Sequence, residues 1–221
     1  MVLTHTVSTE GLEKVNRTVQ DQSPTAPDRR RAAMIAAMRR SMVLRGYAAT
    51  SLDHIIAEVG GSRRNIYTAF GDKTGLLRAV IETVVGEIVE ESFAADAADP
   101  RAFLVDMGTR FVTRMLDPEV IELFRVLTTA NGAHDASVDR LWTAGPDRFR
   151  NLLGDWLRDR VAEGKLDVPD VDFAAEILPE MMRGSLQLEL LAGRRSTIAQ
   201  GDITRQVEGA VDLFLRATTP K

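Results

Sequence analysis

The chain of 221 residues contains no cysteine, which excludes disulfides and thiolate metal sites. Its three histidines, His5, His54 and His134, are far apart in sequence, a spacing that argues against zinc. No stretch approaches the ~20 consecutive apolar residues of a membrane span. Residues 1–27 lack the apolar core of a signal peptide. A cytoplasmic protein with no membrane partner is expected. Strand signals are missing too: apolar–polar alternation is absent and β-branched clusters are short. No nucleophile–base pair and no phosphate-binding glycine loop stands out, so an enzyme is not expected, nor is a cofactor or metal.

What is present is an uneven distribution of charge. The net charge is −4, yet residues 28–73 hold nine Lys/Arg against four Asp/Glu, a local balance of +5. Residues 1–27 carry −1 and residues 74–221 carry −8. A basic unit joined to an acidic remainder is expected where only one part of a chain meets phosphate. Chance segregation of charge is the competing explanation.

The pattern is helical almost throughout, with about nine helices. Residues 1–27 lack periodicity and end in Ser23-Pro24-Thr25-Ala26-Pro27, which reads as a flexible tail. A first helix runs from Asp28 to Gly46-Tyr47. Ser51 caps a second, Leu52–Val59, with Leu52, Ile55, Ile56 and Val59 apolar. Gly60-Gly61 breaks it, and Ser62 caps a third in which Ile66 and Phe70 point inward. Asp72 or Thr74 caps a long fourth helix to about Ala97. Further helices are expected over Ala102–Leu116, Glu119–Ala130, Ser137–Glu163 with a kink at Gly145-Pro146, Val171–Leu191 and Asp202–Arg216.

Two short helices joined by a glycine turn and preceded by a longer one form a helix-turn-helix within a three-helix unit. Residues 51–70 are assigned to the motif and 28–73 to the DNA-binding domain. Residues 74–221 form a helical regulatory and dimerisation domain. Ser51 and Ser62 cap helix N-termini, where free N–H groups attract phosphate. Arg63 and Arg64 can fork onto guanine or pair with phosphate, and Asn65 can bond adenine. Tyr67 and Thr68 offer hydroxyls to phosphate, or a contact to a thymine methyl, and Lys73 would clamp the backbone. The bland alternative is a solvated surface helix, with Tyr67 as half-buried packing.

These residues resemble the DNA-binding domain of the TetR family of bacterial transcription regulators. The family pattern falls on Gly46-Tyr47, Ser51, Ile55-Ile56, Val59-Gly60-Gly61-Ser62, Tyr67, Phe70 and Lys73. Ile56 and Gly61 depart from it, replacing a small residue and a valine around the turn. The segments G-D-K-T-G-L-L-R-A-V-I-E (71–82), L-D-P-E (116–119), A-G-P-D-R-F (144–149) and G-K-L (164–166) are similar to the AefR-like subgroup. The resemblance implies an all-α fold, a near-palindromic double-stranded DNA operator, a pocket for an inducer and a homodimer through the last two helices. It also implies a repressor, cytoplasmic and nucleoid-associated when bound to DNA.

The sequence admits a small apolar or aromatic inducer: Phe103, Met107, Phe111, Met115, Phe124, Trp142, Phe149, Trp156 and Met181 could line a pocket. At helical spacing each could equally be core. His134 and Asn131 flank a helix break and could bond a ligand or be loop. For the dimer, Ile177, Met181, Gly184, Ser185 and Leu188 make one stripe, and Val207, Ala210, Val211, Phe214 and Leu215 another. A face buried inside the monomer is the alternative. A regulator that senses a protein partner, or nothing, and an activator both stay open.

Overall fold

The computed structural model describes residues 25–94, 97, 99–129 and 143–220. Ten α-helices and one π-turn make up the regular structure of these residues, with no strand among them. The helices are α1 Ala26–Ala49, α2 Leu52–Val59, α3 Arg63–Phe70, α4 Lys73–Ser92, α5 Pro100–Met115, α6 Pro118–Thr129, α7 Arg148–Ala162, α8 Val171–Arg183, α9 Leu186–Leu191 and α10 Gln200–Thr218. None of them is long and apolar enough to cross a membrane.

The all-α expectation holds, and local chemistry explains most helix ends. Thr25 and Asp28 form a reciprocal capping box with Pro27 in the first turn, so α1 begins two residues inside the segment read as tail. The α1 backbone turns out of helical geometry at Gly46, and Thr50 closes its end by donating to the Gly46 carbonyl at 2.9 Å. Ser51 caps α2 as expected, in a capping box with His54. Ser62 precedes α3 but, contrary to expectation, makes no capping bond; its hydroxyl turns to Asn65 Oδ1, to which it donates at 3.3 Å. Asp72 caps α4 through Gly75 N, and α4 stops at Ser92, short of Ala97.

Two expected elements change. Ser137–Glu163 is not one helix in its described part: Thr143–Asp147 is a π-turn around Gly145-Pro146, followed by α7. Residues 130–142 lie outside the described residues, and with them Asn131, His134 and Trp142. Val171–Leu191 splits into α8 and α9 at Gly184, whose φ of 52° and ψ of −140° suit only glycine. A Cβ there would lie 2.7 Å from Gln206 Nε2. The same Nε2 donates to the Met181 carbonyl at 2.8 Å, a carbonyl of the last α8 turn. Gly184 therefore shapes a helix break, and the stripe from Ile177 to Leu188 is not continuous.

The last helix also faces otherwise than one sequence reading had it. Val207, Ala210, Val211 and Phe214 are buried within the monomer, in a core that α10 builds with α5 and α8. Gly108 on α5 lies so close that a Cβ would meet Met182 Sδ at 2.7 Å and Val207 Cγ1 at 3.0 Å. On α8, α9 and α10 the large apolar residues left exposed are Phe173, Ile177, Leu188 and Leu213.

Candidate nucleic-acid interface

A polar or cation–π side-chain contact links each pair of the three N-terminal helices over a shared core. Arg40 of α1 bonds Glu58 of α2. Arg31 of α1 lies 5.1 Å from the ring centre of Phe70 of α3. Arg63 of α3 makes a two-pronged bond to Asp53 of α2, with Nε to Oδ1 at 2.9 Å and Nη2 to Oδ2 at 2.6 Å. Beneath these contacts Ile55 and Ile66 are fully buried.

That burial fixes which side of α3 faces outward. Ile66 is inside and Phe70 half-buried, as the sequence periodicity predicts. Ser62, Arg63, Arg64, Tyr67 and Thr68 are exposed, with Tyr67 at 53%. Asn65 is half-buried, its side chain folded toward Ser62. An eight-residue helix with a polar outer side of arginine, tyrosine and threonine offers donors for phosphate and base edges.

Lys73 is engaged inside the protein. Its Nζ donates to the Tyr47 carbonyl at 2.7 Å and lies 4.2 Å from the Tyr47 ring centre. Burial pushes its pKa below the usual lysine value. Asp53, missed by sequence reasoning, is held below the usual carboxylate range by the Arg63 hydrogen bond. Its only local signal is its place in the first turn of α2, where any carboxylate is favoured by the helix dipole.

The charge asymmetry is also partly spent inside the molecule. Arg39, counted in the basic unit, reaches Glu87 of α4 through Nη1 at 2.7 Å and Nη2 at 2.8 Å. The same guanidinium reaches Glu119 of α6 through Nε at 2.6 Å and Nη2 at 2.8 Å. Arg114 of α5 joins the same Glu87 at 3.2 Å. Tyr47 N donates to Glu122 of α6 at 2.9 Å. The second half of the chain thus grips α1 at two places.

The pocket candidates divide. Phe103, Phe111 and Phe149 are buried and pack against the half-buried Phe93 and Trp156. Phe103 stacks on Trp156 at 4.3 Å, Phe149 meets Phe93 edge-on at 5.0 Å, and Phe111 lies 4.7 Å from Phe149. Met107 is buried and Phe124 half-buried. Met181 lines an open groove between α8 and α10 beside Leu213 and Arg205.

Residues 34–80 match the family described as bacterial regulatory proteins of the tetR family. Residues 102–218 match the AefR-like transcriptional repressor C-terminal domain. No curated protein matches the sequence. Among solved structures, a putative TetR-family transcriptional regulator from Mesorhizobium loti MAFF303099 superposes with a TM-score of 0.78 at 22% identity, covering 89% of this chain and all of that one. The flavonoid-responsive regulator FrrA gives 0.69 at 21% identity, covering 87% and 98%. A TetR-family regulator from Pectobacterium atrosepticum gives 0.65 at 22%, covering 90% and 99%. Such identities establish a shared fold; the family rests on the two matched segments, which together span both halves of the molecule. The chain belongs to the TetR family of bacterial transcription regulators, of DNA-binding repressor type, with an AefR-like C-terminal domain.

Proposed function

We propose that the protein is a homodimeric repressor whose paired α3 helices occupy successive major grooves of a near-palindromic operator. The observation that carries this reading is α3 itself. Ile66 is locked into the core while Arg63, Arg64, Tyr67 and Thr68 stand exposed on a short helix. Two-fold pairing would set the reading heads about one helical turn apart or a multiple of it, ~34–36 Å per turn. Residues 28–73 act as the DNA-binding unit and residues 74–221 as the regulatory and dimerisation unit. Exposed Phe173, Ile177 and Leu213 on the packed α8–α10 pair support a dimer through these helices, with the buried α10 stripe serving the monomer. Selection from a random duplex library by the full-length chain tests this; enrichment of no sequence would overturn it. Sedimentation at micromolar concentration tests the dimer, and a monomer would count against it.

Release by an apolar or aromatic inducer is part of the proposal. The contacts of Arg39 with Glu87 and Glu119 and of Tyr47 with Glu122 supply a route. A ligand that shifts α4 or α6 would pull on α1 and hence on the reading head. Coupling of this kind is reciprocal, so operator DNA must weaken inducer binding by the same factor. A second reading, a regulator without a small-molecule ligand, is favoured by the aromatic cluster, whose rings pack on one another. Titration of flavonoids and other planar aromatics, with and without operator, separates the two. Binding that is unaffected by operator would refute induction.

A further inference from the structure

We propose that Asp53 is a positioning residue for base reading: it holds one edge of the Arg63 guanidinium so that the other edge faces a guanine. The inference rests on the DNA-binding reading above. Arginine has five N–H donors in a rigid plane, and they form two forks. Asp53 occupies the Nε/Nη2 fork, with bonds of 2.9 and 2.6 Å. The Nη1/Nη2 end stays directed away from the carboxylate, and that pair of donors matches O6 and N7 of guanine in the major groove.

The placement fits the task. Arg63 is the first residue of α3 and Asp53 the second residue of α2. Residues at the N-terminal end of a recognition helix are the ones that meet base edges. Both side chains are well exposed, at 64% and 63%, so a duplex can reach the unoccupied fork without breaking the pair. The pair is also a charge device. A carboxylate this close to a DNA-binding helix would repel phosphate, and Arg63 neutralises it; Asp53 in turn limits the rotamers that a long exposed arginine would otherwise lose on binding.

A simple latch makes the opposite prediction. If Asp53 sequestered Arg63 from DNA, removing the carboxylate would strengthen operator binding and leave base preference intact. Positioning requires the reverse.

The test uses the full-length wild type, Arg63→Ala, Asp53→Asn and Asp53→Ala. Each is put through selection from a random duplex library. Dissociation constants are then measured on the preferred duplex, on its single-base variants and on an unrelated duplex. Arg63→Ala should lose a guanine preference at one position per half-site. Both Asp53 variants should lower the preference at that position by roughly tenfold, the scale of one bidentate contact. Affinity for the unrelated duplex should hold or rise, because a negative charge has gone; a merely structural role would lower it. In the Arg63→Ala background, Asp53→Ala should cost no further discrimination. Unchanged base preference in both Asp53 variants, or tighter operator binding with preference intact, overturns the proposal. If the wild type enriches no sequence, it is the DNA-binding reading that fails.

Discussion

The ammonium group of Lys73 donates to the carbonyl oxygen of Tyr47 at 2.7 Å and rests 4.2 Å from the centre of the Tyr47 ring. It ties the first residue of α4 to the segment that ends α1, closing the three-helix unit on itself. Lys73→Ala should therefore act on stability. The loss of a charge-assisted bond and a cation–π contact is expected to cost about 1–2 kcal/mol. Urea denaturation measures that loss. DNA affinity should fall alike for all sequences with the salt dependence unchanged. A salt slope lowered by about one would show instead that Lys73 holds a phosphate.

Arg39 joins the two halves. Its guanidinium is shared by Glu87 and Glu119, 48 and 80 residues away, and these carboxylates raise its pKa above the usual arginine value. Arg39→Ala leaves two half-buried carboxylates without that partner, and we expect a destabilisation of about 1–3 kcal/mol. Combining it with Glu119→Gln should recover part of the loss. Additive costs in a double-mutant cycle would show that the pair contributes nothing specific.

Gly75 sets the joint between α3 and α4. A Cβ on it would sit 1.8 Å from the Phe70 carbonyl oxygen, a backbone atom with no rotamer to yield. Gly75→Ala must move α3 relative to α4. The expected cost is about 3 kcal/mol, near the upper range for overpacking. Operator affinity should drop further than stability alone accounts for, as read by binding at a temperature where the variant is still folded.

Gly184→Ala tests the α8–α9 break. Strain at its φ of 52° and ψ of −140° should cost about 1–3 kcal/mol. The contact with Gln206 is relieved only by giving up its bond to Met181 O. The drop should appear in thermal unfolding; a neutral substitution would mean that the break is not needed.

Among the described residues five carboxyls, Asp28, Asp53, Glu163, Asp202 and Asp212, are held below their ordinary values, three of them chiefly by arginine. Hydrogen bonds from arginine hold Asp53 (from Arg63), Asp202 (from Arg195) and Asp212 (from Arg101) below their ordinary values. A depressed folded-state pKa means that the unfolded chain binds the proton more readily. The contribution is thus present above the ordinary aspartate value, ~3.9, and is lost as pH falls through the lower folded values. Melting temperature should decline below about pH 4, and Asp212→Asn should shallow the decline. An unchanged slope in that variant would remove Asp212 from the set.

The helices were legible because their signals are local. Apolar spacing marks Ile55, Ile66 and the α4 core, and Ser51 and Asp72 announce their helices by capping. The exposed side of α3 followed from the same spacing. Gly184 was visible too, but a glycine in an apolar stripe does not by itself announce a helix break; its φ of 52° and ψ of −140° do. Likewise Val207 and Val211 form a proper helical stripe, and only packing against α5 and α8 turns that stripe inward.

By itself, the sequence determined an all-helical chain with a basic helix-turn-helix at one end, because helix periodicity, capping and charge act within a few residues. Tertiary structure decided where the charged groups are spent. Asp53 lies ten residues from Arg63, and Glu119 eighty from Arg39. Nothing in either local sequence indicates which arginine meets which carboxylate. That pairing exists only once the helices are packed, since an ion pair is set by distance in space.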